Sequence, residues 1–551
     1  MLIAPRSLRL TGSHGLRYWL PLLAVLILLL DPKKVWVQLC RGSLAIVADA
    51  PFCDKVGHNY QLPSASPAIG AGNISYAQPL DLLGPVRPLL LGAFEVQDPL
   101  SLAESSAVTG VATIGSAPRR SLNSILAAFF AANRTSALAD PPNGPLSIGT
   151  QGHPVQLAWC GTEYQGNRVY DWSKFDTYVS QAPAVAGDST TASIIITLGL
   201  TPAWALSNQA TCTKAPFYGG PANTCCTDPP DNNTDWTNFV TDIVNRYNNT
   251  AGLRHIRFYE IWNEWTNQGN SAYWTGTIAQ LVTLAQLAYP IIKGDSHSLC
   301  LAPSVSGKFE SVSDTEPSQM AQYLDAGGSQ YADGLTWHGF NGDSHANPFP
   351  LPTDNCSYIG CRGSVSTQIS VVRSVADNHG MVGKPLYDTE GGYMLGTCDN
   401  FEGGGCNGNV HSAWIAQWLL LHAGLSAVSN VLHASFFTWG TSDGYFEGTS
   451  AGTLGPAGTA WNQVYAWTSG ALPRGACSVS GTTWTCNFLQ PGGHRVEAIW
   501  DSSQTCSSSS CTTTNQRVPS IYTQYLDIQG DPPTTIVNHT VPVGLQPVLL
   551  E

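Results

Sequence analysis

From about Val155 to Trp467, short apolar runs alternate with stretches of helical periodicity. That alternation restricts the fold more than any other feature, because it is the pattern of parallel strands joined by helices that cover the sheet. Seven strands are expected: Val155–Trp159, Ser193–Leu200, Ile256–Glu264, Leu299–Ser304, Gly334–Phe340, Lys384–Glu390 and Ala434–Trp439. An eighth is placed near "PLLLGAF" (Pro88–Phe94), which makes an α/β fold of the (β/α)8 TIM barrel type the economical closure. Between strands, "DWTNFVTDIVNRYN" places Trp236, Phe239, Val240, Ile243, Val244 and Tyr247 on one helical face, with Asp235 as the cap. "DWSKFDTYV" repeats the device from Asp171.

After Trp467 the texture changes to short alternating runs broken by turn residues, as in "TTWTCNFLQPGGHRVEAIWD". This predicts a C-terminal antiparallel β-sandwich, whose last strands could pair with an N-terminal segment such as "GPLSIG". The expected layout is a leader over 1–50, an N-terminal segment over 51–150 that lends strands to barrel or sandwich, a barrel over 151–467 and the sandwich over 468–551. Ser101–Ser147, rich in Ala, Ser and Pro, suggests no strand of its own.

Arg6, Arg9 and Arg17 precede the apolar run Tyr18–Leu30, which has the length of a signal h-region. A secreted, extracellular protein is expected, or one tethered to a membrane through residues 18–30 if that signal is not cleaved. Close cysteine couples, Cys356 with Cys361, Cys398 with Cys406, Cys477 with Cys486 and Cys506 with Cys511, predict local disulfides. Cys212 is expected to pair with Cys225 or Cys226, and the odd total of 15 makes Cys40 the candidate free thiol. The sequons at Asn73, Asn133, Asn232, Asn248, Asn355 and Asn538 would accept glycans in a eukaryotic secretory pathway. A formal charge of −13 argues against nucleic acid as partner, and a chain with only 11% charged residues suits a neutral ligand.

"RFYEIWNEWTN" ends an aromatic, apolar run with Asn263 and Glu264, and "YDTEGG" ends another with Glu390. In a β/α barrel the C-terminal strand ends converge on one face. Two carboxylates meeting there are the working parts of a glycosidase, one donating a proton and the other attacking the sugar. Glu260 is expected to be a buried structural partner of a base such as Arg257 rather than a catalyst. Neither the cysteine couples nor His338 and His345 have metal-ligand spacing, so no metal and no cofactor are expected.

These segments, together with "TLGLTPAWA" and "TWHGF", resemble the clan A retaining glycoside hydrolases, most closely family 39, the β-xylosidase-like type. The resemblance covers about Val155 to the C-terminus. It implies a carbohydrate substrate, Glu264 as acid/base, Glu390 as nucleophile and Asn263 as ligand of the sugar 2-hydroxyl. It further implies that His338 lines the site and that Trp439 is an aromatic platform; Trp204 is a further candidate for sugar contact. Two positions depart from the family pattern: Phe340 replaces an aromatic hydroxyl, and "PVQLAWCGTEY" lacks an arginine. A family 5-like endoglucanase and a carbohydrate-binding wall protein without catalysis remain the alternatives.

Overall fold

The computed structural model describes residues 36–40, 43–47, 125, 129–134, 148–149, 158–182, 184–185, 188–215, 224–250, 252–266, 273–306, 318–340, 364–392, 408–439 and 454–551. The chain divides into two units, 1–122 and 123–551. Within the first, Trp36–Cys40 and Ser43–Val47 form an antiparallel hairpin. The apolar leader run 18–30, Pro88–Phe94 and the couples Cys356/Cys361 and Cys398/Cys406 lie outside the described residues. No helix among the described residues is long and apolar enough to cross a membrane.

Among its described residues, the second unit begins with eight parallel strands: β1 (Phe130–Arg134), β2 (Ile148–Gly149), β3 (Asp188–Thr197), β4 (His255–Glu260), β5 (Leu299–Leu301), β6 (Leu335–Trp337), β7 (Leu386–Gly391) and β8 (Val431–Trp439). They pair in sequence order as β2-β3-β4-β5 and as β6-β7-β8-β1. Parallel bridges Leu301–Gly334 and Ser306–His338 connect the two runs, and β1 lies beside β2. A helix follows each strand from β2 onward: α1 (Ser173–Gln181), α2 (Asn233–Asn249), α3 (Ile278–Lys293), α4 (Gln319–Asp325), α5 (Val365–Asn378), α6 (Gly408–Leu425) and α7 (Pro456–Thr468). Ile195, Leu301 and Tyr387, with Phe258 and Leu432, meet as one apolar cluster fed by five of these strands.

All six expected apolar residues of α2 are buried. Each such side chain contributes about 1.5–3 kcal/mol when fully withdrawn from water. The cap differs from expectation: Asn232 accepts from the Thr234 N–H, and Asp235 falls inside the first turn. Asp171 does hold the start of α1, by accepting from the Ser173 N–H.

Three sequence assignments are corrected. Trp159 belongs to a one-turn helix, Trp159–Thr162, and not to a strand. The strand taken from that region is instead Ile148–Gly149, which pairs with Ile194 and Ile195 of β3 rather than with the C-terminal sheet. The place beside β8 is filled by Phe130–Arg134, inside the stretch that suggested no strand.

The C-terminal part is antiparallel. Strands β9 (Leu472–Pro473), β10 (Ser478–Ser480), β11 (Thr483–Leu489), β12 (Arg495–Asp501), β13 (Thr513–Arg517), β14 (Gln524–Asp527), β15 (Thr534–Thr535), β16 (Thr540–Gly544) and β17 (Val548–Leu550) make one larger sheet and a β13–β16 ribbon. Ile499, Val518, Tyr522, Val541, Val543 and Leu550 fill the space between sheet and ribbon. The module is joined to α6, where Gln417 Nε2 donates to the Leu545 carbonyl at 2.8 Å.

Among the described residues, disulfides join Cys160 to Cys225, Cys212 to Cys226, Cys477 to Cys486 and Cys506 to Cys511. The free thiol among these residues is Cys300, buried in β5. The side chain of Cys40 lies outside the described residues.

Candidate active site

Ladder pairing of β4 ends at Glu260, so Glu264 stands beyond the strand rather than at its tip. Its backbone adopts φ +36°, and its N–H donates to Ser304 Oγ at 3.2 Å. Ser304, just past β5, also donates to the Trp262 carbonyl at 3.3 Å and lies 3.5 Å from Asn263 Oδ1. Glu390 is the fifth residue of β7. The β7–β8 register slips between Asp388 and Gly391, an irregularity of the kind that re-aims a side chain at a strand end.

His338 Nδ1 is 2.6 Å from Glu264 Oε1 and 3.8 Å from Glu390 Oε2. One donor atom from each of Glu264, His338 and Glu390 lies within 4.8 Å of the other two. His338 is fully buried, and the two glutamates are 8–9% exposed. Burial alone would push the imidazole down, but the facing carboxylates of Glu390 and Glu264 outweigh it and raise His338 to about 9. Burial also raises Glu390, opposed by His338 and reinforced by the charge of Glu264, to about 8. The pocket therefore keeps a carboxyl protonated near neutral pH, a proton that belongs to the cluster as a whole.

Among the described residues, these three are also the group whose donor atoms converge enough to hold a metal ion. Two ligands on one tetrahedral zinc, each at about 2.0–2.1 Å, stand roughly 3.3 Å apart. The 2.6 Å contact of His338 with Glu264 is a hydrogen-bond distance.

Asn263 is half-buried beside Glu264. Trp204 lies in a short 3-10 turn after β3, its indole N–H donating to the Glu163 carbonyl and its ring edge-on to Trp159 with centroids 6.2 Å apart. Trp439 closes β8, and its side chain lies outside the described residues. Phe340 is buried and forms a parallel bridge with Gly392, just past β7.

Glu260 is fully buried, and threonine hydroxyls reach it from two other strands. Thr197 and Thr389 donate to it across the strand array at 2.6 and 2.8 Å, whereas Arg257 is exposed. Sequence reasoning also missed Ser304 and Glu163. Glu163 is a fully buried carboxyl that burial raises to about 7 against hydrogen bonds from the Arg168 N–H and the Trp159 indole.

Compared by sequence, neither a family model nor a curated protein matches the chain. In fold, it is similar to a family 39 glycoside hydrolase from the gut symbiont Bacteroides cellulosilyticus WH2. The TM-score is 0.53 and the identity 14%, over 78% of this chain and 82% of that one. A family 39 enzyme from Xanthomonas axonopodis pv. citri covers 81% of this chain and 99% of its own, with a TM-score of 0.47 and 16% identity. At such identities the likeness is one of fold.

Proposed function

We propose that the eight parallel strands close as a (β/α)8 barrel and that the protein is a retaining glycoside hydrolase of neutral or weakly charged β-linked carbohydrate. The observation that carries this is the convergence of Glu264 and Glu390, one carboxyl oxygen of each lying within 4.8 Å of the other. Retaining enzymes hold their two carboxyls about 5–5.5 Å apart, whereas inversion needs roughly 6.5–9.5 Å to admit a water. Export, suggested by the leader and compatible with the disulfides, belongs to the same reading.

Glu264 donates its proton to the glycosidic oxygen while a carboxylate oxygen of Glu390 bonds to the anomeric carbon and the leaving group departs. Glu264 then takes a proton from water, which attacks the same carbon and frees Glu390. The reaction needs Glu264 protonated and Glu390 ionised, and the resting pocket holds a proton that the cluster shares. His338 Nδ1, facing both carboxylates, is the group through which that proton passes. Developing positive charge on the sugar draws the exchange toward ionised Glu390. Asn263, beside Glu264, is positioned to bond a sugar hydroxyl, and Trp204 and Trp439 are the candidate stacking faces.

The test is a screen on aryl β-xyloside, β-glucoside, β-galactoside and α-arabinoside, followed by azide rescue. Glu390→Ala abolishes turnover, and azide restores it with an inverted product. Glu264→Ala spares the first step on good leaving groups and gives a retained azide product. An inverted wild-type product would overturn the retaining assignment. Binding without turnover by folded protein would favour a carbohydrate-binding protein instead.

A further inference from the structure

Behind Glu390 lies a hydrogen-bonded carboxyl–imidazole pair that the two-carboxylate reaction does not use. Asp388, two positions earlier on β7, is fully buried, and its Oδ2 is 3.0 Å from Nε2 of His422 on α6. Nδ1 of His422 lies 2.8 Å from the Trp418 carbonyl. A carbonyl only accepts, so Nδ1 carries a hydrogen, and the contact between Nε2 and Oδ2 holds a second proton between ring and carboxylate.

The other oxygen, Oδ1, accepts the Gly339 N–H at 3.0 Å. That same N–H also reaches the Glu390 carbonyl at 2.9 Å. Gly339 follows His338, and Gly391 follows Glu390. A Cβ on Gly339 would stand 2.2 Å from Asp388 Oδ2, and one on Gly391 would stand 2.6 Å from it and 2.8 Å from the Trp418 ring. Both glycines make room for one carboxylate, which therefore fills a slot walled by the neighbours of His338 and Glu390.

We infer that Asp388 and His422 are a positioning pair that fixes His338 and Glu390 relative to each other by clamping the ends of β6 and β7. This rests on the reading of Glu390 as nucleophile. Stability alone gives little reason to keep such a pair, since buried ion pairs are commonly replaceable by apolar residues without loss. Placement does, because a shift of about 1 Å in reacting groups can cost about 10²-fold in rate.

The experiment measures kcat, KM, the pH profile and thermal unfolding on an aryl glycoside. Asp388→Asn keeps the volume, accepts from Gly339 and can donate to a neutral His422, so kcat stays within about threefold and the pH profile is unchanged. Asp388→Ala empties the slot: kcat falls about 10²-fold while KM stays within about twofold. Should Asp388→Ala fail to fold, His422→Gln carries the test, with about a tenfold fall in kcat expected. Wild-type kcat in folded Asp388→Ala or in His422→Gln would overturn the inference, as would Asp388→Asn being as damaged as Asp388→Ala. A wild-type protein that turns over no glycoside would remove the premise itself, whereas variants indistinguishable from an active wild type would sink the pair alone.

Discussion

Removing the Cys160–Cys225 bridge is expected to be the most costly loss among the disulfides described. It closes a loop spanning a sequence separation of 65, from the turn after β2 to the strand Cys225–Cys226 beyond β3. Cys212–Cys226 spans 14 and Cys506–Cys511 spans 5. Loop-closure entropy then assigns about 4, about 3 and about 2 kcal/mol to the three bridges. Cys160 and Cys225 are also fully buried, so replacing both by Ala leaves a cavity that adds to the cost, while Cys506 and Cys511 are half-exposed. Urea unfolding of Cys160→Ala/Cys225→Ala and Cys506→Ala/Cys511→Ala under non-reducing conditions, each extrapolated to water with its own denaturant slope, measures the difference. At least about 2 kcal/mol should separate the two variants. Equal losses, or the reverse order, would show that loop length and burial do not govern these bridges.

Stability should also fall as pH rises from about 5 to 9.5. Glu163, Glu390 and His338, raised to about 7, 8 and 9, all bind protons more tightly folded than unfolded. Each contribution is therefore fully present below the unfolded value and is lost as pH climbs through the folded one. Thermal unfolding across that range checks this, with Glu163→Gln flattening the lower part; a melting temperature that rises toward pH 9 would contradict it. Glycan mapping after expression in a eukaryotic secretory host should find Asn232 and Asn538 occupied, because both are exposed. Asn248 should be bare, since its Nδ2 donates to Asp295 Oδ2 at 3.2 Å; a glycan on Asn248 in folded protein would refute this.

The helix α2 could be read residue by residue because one face carries its whole buried surface. The convergence of Glu264 and Glu390 was also legible, since a carboxylate after an aromatic run needs a reason to be there. Strands β1 and β2 were not: "FAANR" closes an alanine-rich apolar run, Ile125–Ala132, that reads equally as helix, "IG" is two residues long, and their neighbours in the sheet decide their conformation. The partners of Glu260 come from β3 and β7, and the partner of Asp388 comes from α6, so neither could be inferred from local pattern. The Cys160–Cys225 pairing was hidden for the same reason, since proximity in sequence favoured Cys212 for both candidate partners.

Glu264 holds a left-handed backbone, φ +36°, that suits glycine and costs other residues about 1–3 kcal/mol. Glycine at 264 would relieve that strain and remove a nearly buried carboxylate at the same time. A library of variants challenged only by heat would thus enrich chains that have discarded the residue proposed to move the proton. Robustness and turnover pull in opposite directions at this single backbone torsion, so any thermostabilisation of this protein has to select for activity in the same round.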